Sequence, residues 1–194
     1  MDNIKFCNDS RMTDYAERMK EFRLPRWEQI PALGLYMDQV VTVIDQALSP
    51  LIGFYGEAII TPSMINNYVK LGMVPKPEKK KYSREHLACL IVITILKQST
   101  AIGDIRLGID TVLEKGDKAV CYDSFCDYVE SAVRLALRSV MSGENDIDIS
   151  FSFSSSHTLI TMAVCAFAAK IVTAKMLSIV REDTQPEEPE PPKK

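Results

Sequence analysis

The sequence predicts a mainly all-α fold, and three observations carry that expectation. Apolar residues recur at i, i+3, i+4 and i+7 in one segment after another. Serine, threonine or proline stands where several of these segments would start, and glycine, proline or asparagine where they would stop. Strand-like alternation is confined to one short run, in which Ile147, Ile149, Phe151 and Phe153 alternate with Asp and Ser. Four parts follow: an N-terminal amphipathic helix over 1–24, a domain over 25–118, a C-terminal helical bundle over 119–181, and an acidic, proline-rich tail over 182–194 that is expected to be disordered.

Taken in order, residues 11–23 put Met12, Tyr15, Ala16, Met19 and Phe22 on one face of a helix. Residues 24–31 carry a proline near each end and the only tryptophan, Trp27, and read as an extended connector with the ring anchored in the core. A helix over 35–48 faces inward through Tyr36, Val40, Val43, Ile44 and Ala47, and Ser49-Pro50 is expected to end it. Residues 51–60 give no assignment, although Ile59 and Ile60 read as core. Residues 83–98 contain LACLIVITIL, apolar nearly all round, which predicts the central buried helix with His86 partly exposed near its start. A helix over 101–115 presents Ile102, Ile105, Ile109 and Leu113. The next, 119–141, packs through Tyr122, Phe125, Val129, Val133, Ala136 and Val140, with Arg134 and Arg138 pointing away, and Ser142 to Asn145 stop it. Ser156 caps a last helix over 157–181, rich in Ala, Met, Val and Leu.

Composition excludes several function classes. The most apolar stretch, 159–169, is interrupted by Lys170 and Lys175, whereas a membrane span needs about 20 apolar residues. No membrane segment is expected, and the first residues have no apolar signal-peptide core. Five scattered cysteines suit free thiols in a cytoplasmic protein. There is no glycine-rich phosphate loop, no nucleophile elbow and no His/Glu metal motif, and the acids are scattered over polar helix faces. Neither an enzyme nor a metal or cofactor is expected.

The most informative stretch is 59–84. Thr61 is a fitting N-cap and Pro62 fits the first helical position. Ile65, Tyr68, Val69 and Gly72 then form an apolar stripe, with Ser63, Asn66, Asn67 and Lys70 on the opposite side. Gly72 suits a left-handed helix end and Pro75 a stop. Between 62 and 84 stand six cations, Lys70, Lys76, Lys79, Lys80, Lys81 and Arg84, against the single anion Glu78. That segment carries +5 in a chain of net charge −3, so the remainder carries −8. A basic island in an anionic molecule suits a polyanionic partner. Asparagines read adenine edges, and lysines reach bases or phosphates.

The run Tyr68-Val69-Lys70-Leu71-Gly72-Met73-Val74-Pro75, with its return through Lys81-Tyr82-Ser83 to Leu87 and Leu90, resembles the recognition helix and wing of MerR-type winged helix-turn-helix regulators. Asn66 and Asn67 stand where those regulators usually carry an arginine. Residues 25–115 also resemble a bacterial domain-of-unknown-function family, number 1836, through 24–28, 36–40 and 61–90. These resemblances imply a winged helix-turn-helix with a small basic wing and a regulatory role. The expectation is a DNA-binding transcriptional regulator, a homodimer on double-stranded DNA. Ser63, Asn66, Asn67 and Lys70 would contact bases, and Lys76, Lys79, Lys80, Lys81 and Arg84 phosphates. The alternatives are a protein-interaction module on the same scaffold, or a sensor whose C-terminal helices take a small-molecule effector.

Overall fold

The computed structural model describes residues 6–53, 58–114, 116–142 and 158–184. Within them lie seven α-helices: α1 Ser10–Glu21, α2 Met37–Ile52, α3 Pro62–Lys70, α4 Arg84–Leu96, α5 Ile102–Leu113, α6 Lys118–Met141 and α7 Thr158–Thr184. Short 3-10 turns occupy Phe6–Asn8 and Trp27–Gln29. The fold is therefore all-α, and the only β pairing among the described residues is a pair of isolated antiparallel bridges. The alternating run 147–153, the cap Ser156 and the tail from 185 lie outside the described residues.

One apolar core joins all seven helices. α4 is its centre, with Leu87, Leu90, Ile91 and Ile93 wholly enclosed, as its all-round apolar sequence requires. The most extensive helix pair is α6 with α7. α1 lies against both, burying Met12, Tyr15, Ala16 and Met19. α7 is long and apolar enough to cross a membrane by length and composition, yet Val164, Phe167, Ala168 and Ile171 are inside the core.

Three expectations are corrected. α2 does not end at Ser49-Pro50. It runs to Ile52, with Pro50 inside the helix. The proline forfeits one helical hydrogen bond, but the extra turn buries Leu51 and Ile52 almost completely, and such burial contributes about 1.5–3 kcal/mol per side chain. His86 is buried, not partly exposed. The N–H of Ser83 donates to its Nδ1 at 3.0 Å, and the ring stands edge-on to Tyr82 at 5.6 Å. Arg134 does not point away, since its guanidinium turns back to Glu130 at 3.7 Å.

The C-terminal helix also outlasts its expected end at 181. Arg11 holds Glu182 at 3.2 Å and Asp183 at 2.8 Å, which ties the start of α1 to the last turn of α7. Asp9, the N-cap of α1, accepts from the Arg11 N–H at 2.9 Å and pairs with its guanidinium at 2.7 Å. Hydrogen bonding from Arg11 holds the Asp9 carboxyl below its ordinary value. A carboxylate whose native pKa is depressed stabilises the fold above its unfolded pKa, about 3.9, and that contribution is lost as pH falls through the native value. The wild type should therefore be more resistant to denaturant than Asp9→Asn at pH 7. Its advantage should shrink as the denaturation series is carried down toward pH 3.

Candidate functional site

The basic island is built on α3 and the hairpin that follows it. The Thr61 hydroxyl accepts from the Met64 N–H at 3.2 Å, and Pro62 occupies the first turn, so α3 starts where its cap residues dictate. Ile65 and Tyr68 face the core, and burial pushes the Tyr68 hydroxyl upward, in keeping with a packing role. Ser63, Asn66, Asn67 and Lys70 are all exposed. They lie on the opposite face of the same nine-residue helix.

The far end of α3 is fixed from three sides. Gly72 adopts φ +69, the left-handed turn that ends the helix. Arg106 of α5 donates to the Leu71 carbonyl at 2.6 Å. The Met73 N–H donates to the Tyr68 carbonyl at 3.0 Å, and the Cys89 thiol donates to the Met73 carbonyl at 3.2 Å. Burial pushes that thiol up to about 12, in keeping with a packing role. Met73 and Val74 then enter the core, and the chain leaves it at Pro75 into the lysine run.

Glu78 to Lys81 form a two-residue hairpin. The Lys81 N–H donates to the Glu78 carbonyl at 2.8 Å, and the central residues Lys79 and Lys80 have φ of +48 and +63. Two positive φ values in a two-residue loop are the pattern of a type I′ turn, which ordinarily takes Asn-Gly. The returning strand pairs with a distant segment: Leu35 and Tyr82 exchange hydrogen bonds of 2.9 and 2.8 Å. Left-handed geometry costs a residue with a Cβ roughly 1–2 kcal/mol. Replacing Lys79 by Asn and Lys80 by Gly should therefore raise the unfolding free energy by about 1–2 kcal/mol in total, read as a higher denaturation midpoint.

Of the nine residues expected to form the site, eight are exposed: the four on α3, together with Lys76, Lys79, Lys80 and Lys81. None of the five lysines among them forms an ion pair among the described residues. Arg84 is the exception. Its guanidinium donates to the Ile30 carbonyl at 3.0 Å and pairs with Glu28 at 2.8 Å, and its side chain is only 19% exposed. It fastens the connector to the start of α4 instead of standing out with the lysines.

Sequence reasoning missed a second group of residues. The connector lies along one edge of α6. Tyr122 donates to the Pro25 carbonyl at 2.8 Å, and Asp123 accepts from the Trp27 N–H at 2.7 Å. Trp27 stands edge-on to Tyr122 at 6.2 Å. Glu130, with its side chain 2% exposed, accepts from the Leu24 N–H at 2.9 Å and from Arg26 at 2.7 Å. Asp127 takes the other arm of Arg26 at 2.7 Å. The only signal for this in the sequence is acids near every fourth position of 123–130, which also describes a wet helix face.

Core and hairpin together define an all-helical protein that presents a lysine turn beside a polar helix. The chain belongs to the family described as a domain of unknown function, DUF1836, which matches residues 25–125. The matched stretch runs past the expected boundary at 118 into α6, and its two ends touch through the Pro25–Tyr122 and Trp27–Asp123 bonds. No curated protein and no solved structure matches the chain.

Proposed function

We propose that this protein is a DNA-binding transcriptional regulator of the MerR-like winged helix-turn-helix kind, acting as a homodimer in the cytoplasm. α3 is the recognition helix, with Ser63, Asn66, Asn67 and Lys70 at the base edges of a major groove. The hairpin is the wing, with Lys76, Lys79, Lys80 and Lys81 at phosphates. The observation that carries this reading is the exposure of those eight side chains along one continuous segment, with its lysines bound to no acid of their own chain among the described residues. The hairpin geometry adds support. Lysines occupy two left-handed positions where Asn-Gly would be cheaper, and strain of this kind is commonly kept where a functional group is needed.

Leu159, Met162 and Leu177 are exposed on α7, which makes that helix the dimerisation element of this proposal. Dimers of this sort read two half-sites about one helical turn apart. The test is a gel-shift series on genomic fragments upstream of the protein's own gene. Asn66→Ala or Asn67→Ala should relax sequence preference by about 1–3 kcal/mol at the affected base pair while leaving the salt dependence intact. If the wild type retards no duplex at low salt yet co-purifies with a protein partner, the scaffold is an interaction module instead. A ligand-dependent rise in melting temperature would indicate an effector among the C-terminal helices.

A further inference from the structure

We propose that Tyr36 and Gly34 hold Lys81 in place as a second phosphate-binding edge beside the hairpin tip. This inference rests on the DNA-binding reading above and assigns it a residue outside α3 and the lysine run. The Leu35–Tyr82 bridge brings the extended segment before α2 against the returning strand of the hairpin. Gly34 and Tyr36 flank Leu35 at the i, i+2 spacing that puts two side-chain positions on one face of a strand. The Lys81 side chain crosses that face. A Cβ on Gly34 would lie 3.0 Å from Lys81 Cβ and 3.4 Å from its Cδ, so the lysine stem lies flat where glycine leaves room. The ammonium ends 5.5 Å from the centroid of the Tyr36 ring.

Tyr36 does not face inward as its place on the helix over 35–48 suggests: the residue is 51% exposed, and its backbone N–H donates to the Gln39 side chain at 2.9 Å. A surface lysine ordinarily samples many rotamers, and ordering it opposes binding. Laid over Gly34 and held against an aromatic face, Lys81 has part of that cost removed before any ligand arrives. Among the described residues no ring supports Lys79 or Lys80, which occupy the tip of the turn. The arrangement fits a phosphate of the duplex backbone, approached by one ammonium that the ring and Gly34 hold in place.

A double-mutant cycle tests this with the full-length protein and a labelled mixed-sequence duplex pool, read by fluorescence anisotropy over a range of sodium chloride concentrations. Tyr36→Leu should weaken binding by about two- to fivefold, the size of an exposed cation–π contact. Lys81→Met should weaken it further and lower the salt slope by about one. The double variant should be no weaker than Lys81→Met alone, because Tyr36 acts only through Lys81. Tyr36→Leu combined with Lys79→Met should instead be additive. Tyr36→Phe, which keeps the ring face, should bind as the wild type does. Melting temperatures of all variants should stay with the wild type, since none of these side chains is buried. Additive effects of Tyr36→Leu and Lys81→Met, or no effect of Tyr36→Leu, would overturn the inference while leaving the regulator reading standing. Failure of the wild type to bind any duplex would remove both.

Discussion

Replacing Lys79, Lys80 and Lys81 together by glutamate is expected to abolish retardation of every duplex the wild type binds. Each lysine that neutralises a phosphate releases condensed counterions, and the logarithm of affinity changes by about 0.9 per contact for each tenfold change in salt. Three lost contacts would lower the slope by about 2.7. Reversing their sign adds repulsion across the same surface, so a fall in affinity on the order of 10³-fold is the scale to look for. The fold should survive this change. All three residues are exposed, none is ion-paired within the described residues, and glutamate is no worse suited than lysine to the two left-handed positions. An unchanged thermal melt together with lost retardation would separate loss of binding from loss of structure. Retardation that persists in the triple variant would remove the hairpin from the interface. The comparison with the double variant Lys79→Asn, Lys80→Gly is informative because it moves stability and affinity in opposite directions. That variant should be more stable than the wild type and should bind less well.

Most helices were legible because their information is local. α1, α3, α4 and α6 follow from apolar spacing with cap residues at the expected places, and α3 was bounded almost to the residue by Thr61, Pro62 and Gly72. What escaped was decided by contacts distant in sequence. Pro50 reads as a terminator, and only the burial of Leu51 and Ile52 against the rest of the core explains why α2 passes through it. Lys79-Lys80 reads as part of a small basic wing, but its left-handed turn carries no Asn-Gly signal; that geometry becomes intelligible once Tyr82 is seen pairing with Leu35, forty-seven positions earlier. Arg84 counts as one more cation in a composition sum, and its partners Glu28 and Ile30 lie more than fifty residues away. The candidate site was therefore legible in its exposed members, where residue type and helical face suffice. It was illegible where a charged side chain is neutralised by a distant segment.

The largest stability effect is expected at Glu130, an acid that its local sequence does not distinguish from those of a wet helix face. Its carboxylate is 2% exposed and satisfies the Leu24 N–H and the Arg26 guanidinium, with Arg23 and Arg134 each at 3.7 Å. Hydrogen bonding to Glu130 raises the Arg26 guanidinium above its ordinary value, so that cation is committed to the pair. Glu130→Ala leaves a backbone donor and a partly buried arginine without their acceptor, a change that costs about 3–5 kcal/mol. For a chain of this length that corresponds to a fall in melting temperature on the order of 10 °C. Glu130→Gln keeps an acceptor for Leu24 but not the charge, and should lose roughly half as much. If the pair acts as a unit, Arg26→Met added to Glu130→Ala should cost far less than Arg26→Met does in the wild type. The consequence should reach the hairpin. Residues 24–27 are held by Tyr122, Asp123 and Glu130 of α6, Glu28 and Ile30 hold Arg84, and Leu35 pairs with Tyr82. Freeing the connector at Glu130 loosens the first link of that chain, so amide exchange should quicken at Leu35 and Tyr82 before it quickens within α4. A Glu130→Ala protein that melts with the wild type, or that loses protection uniformly, would show that the connector is held by packing alone.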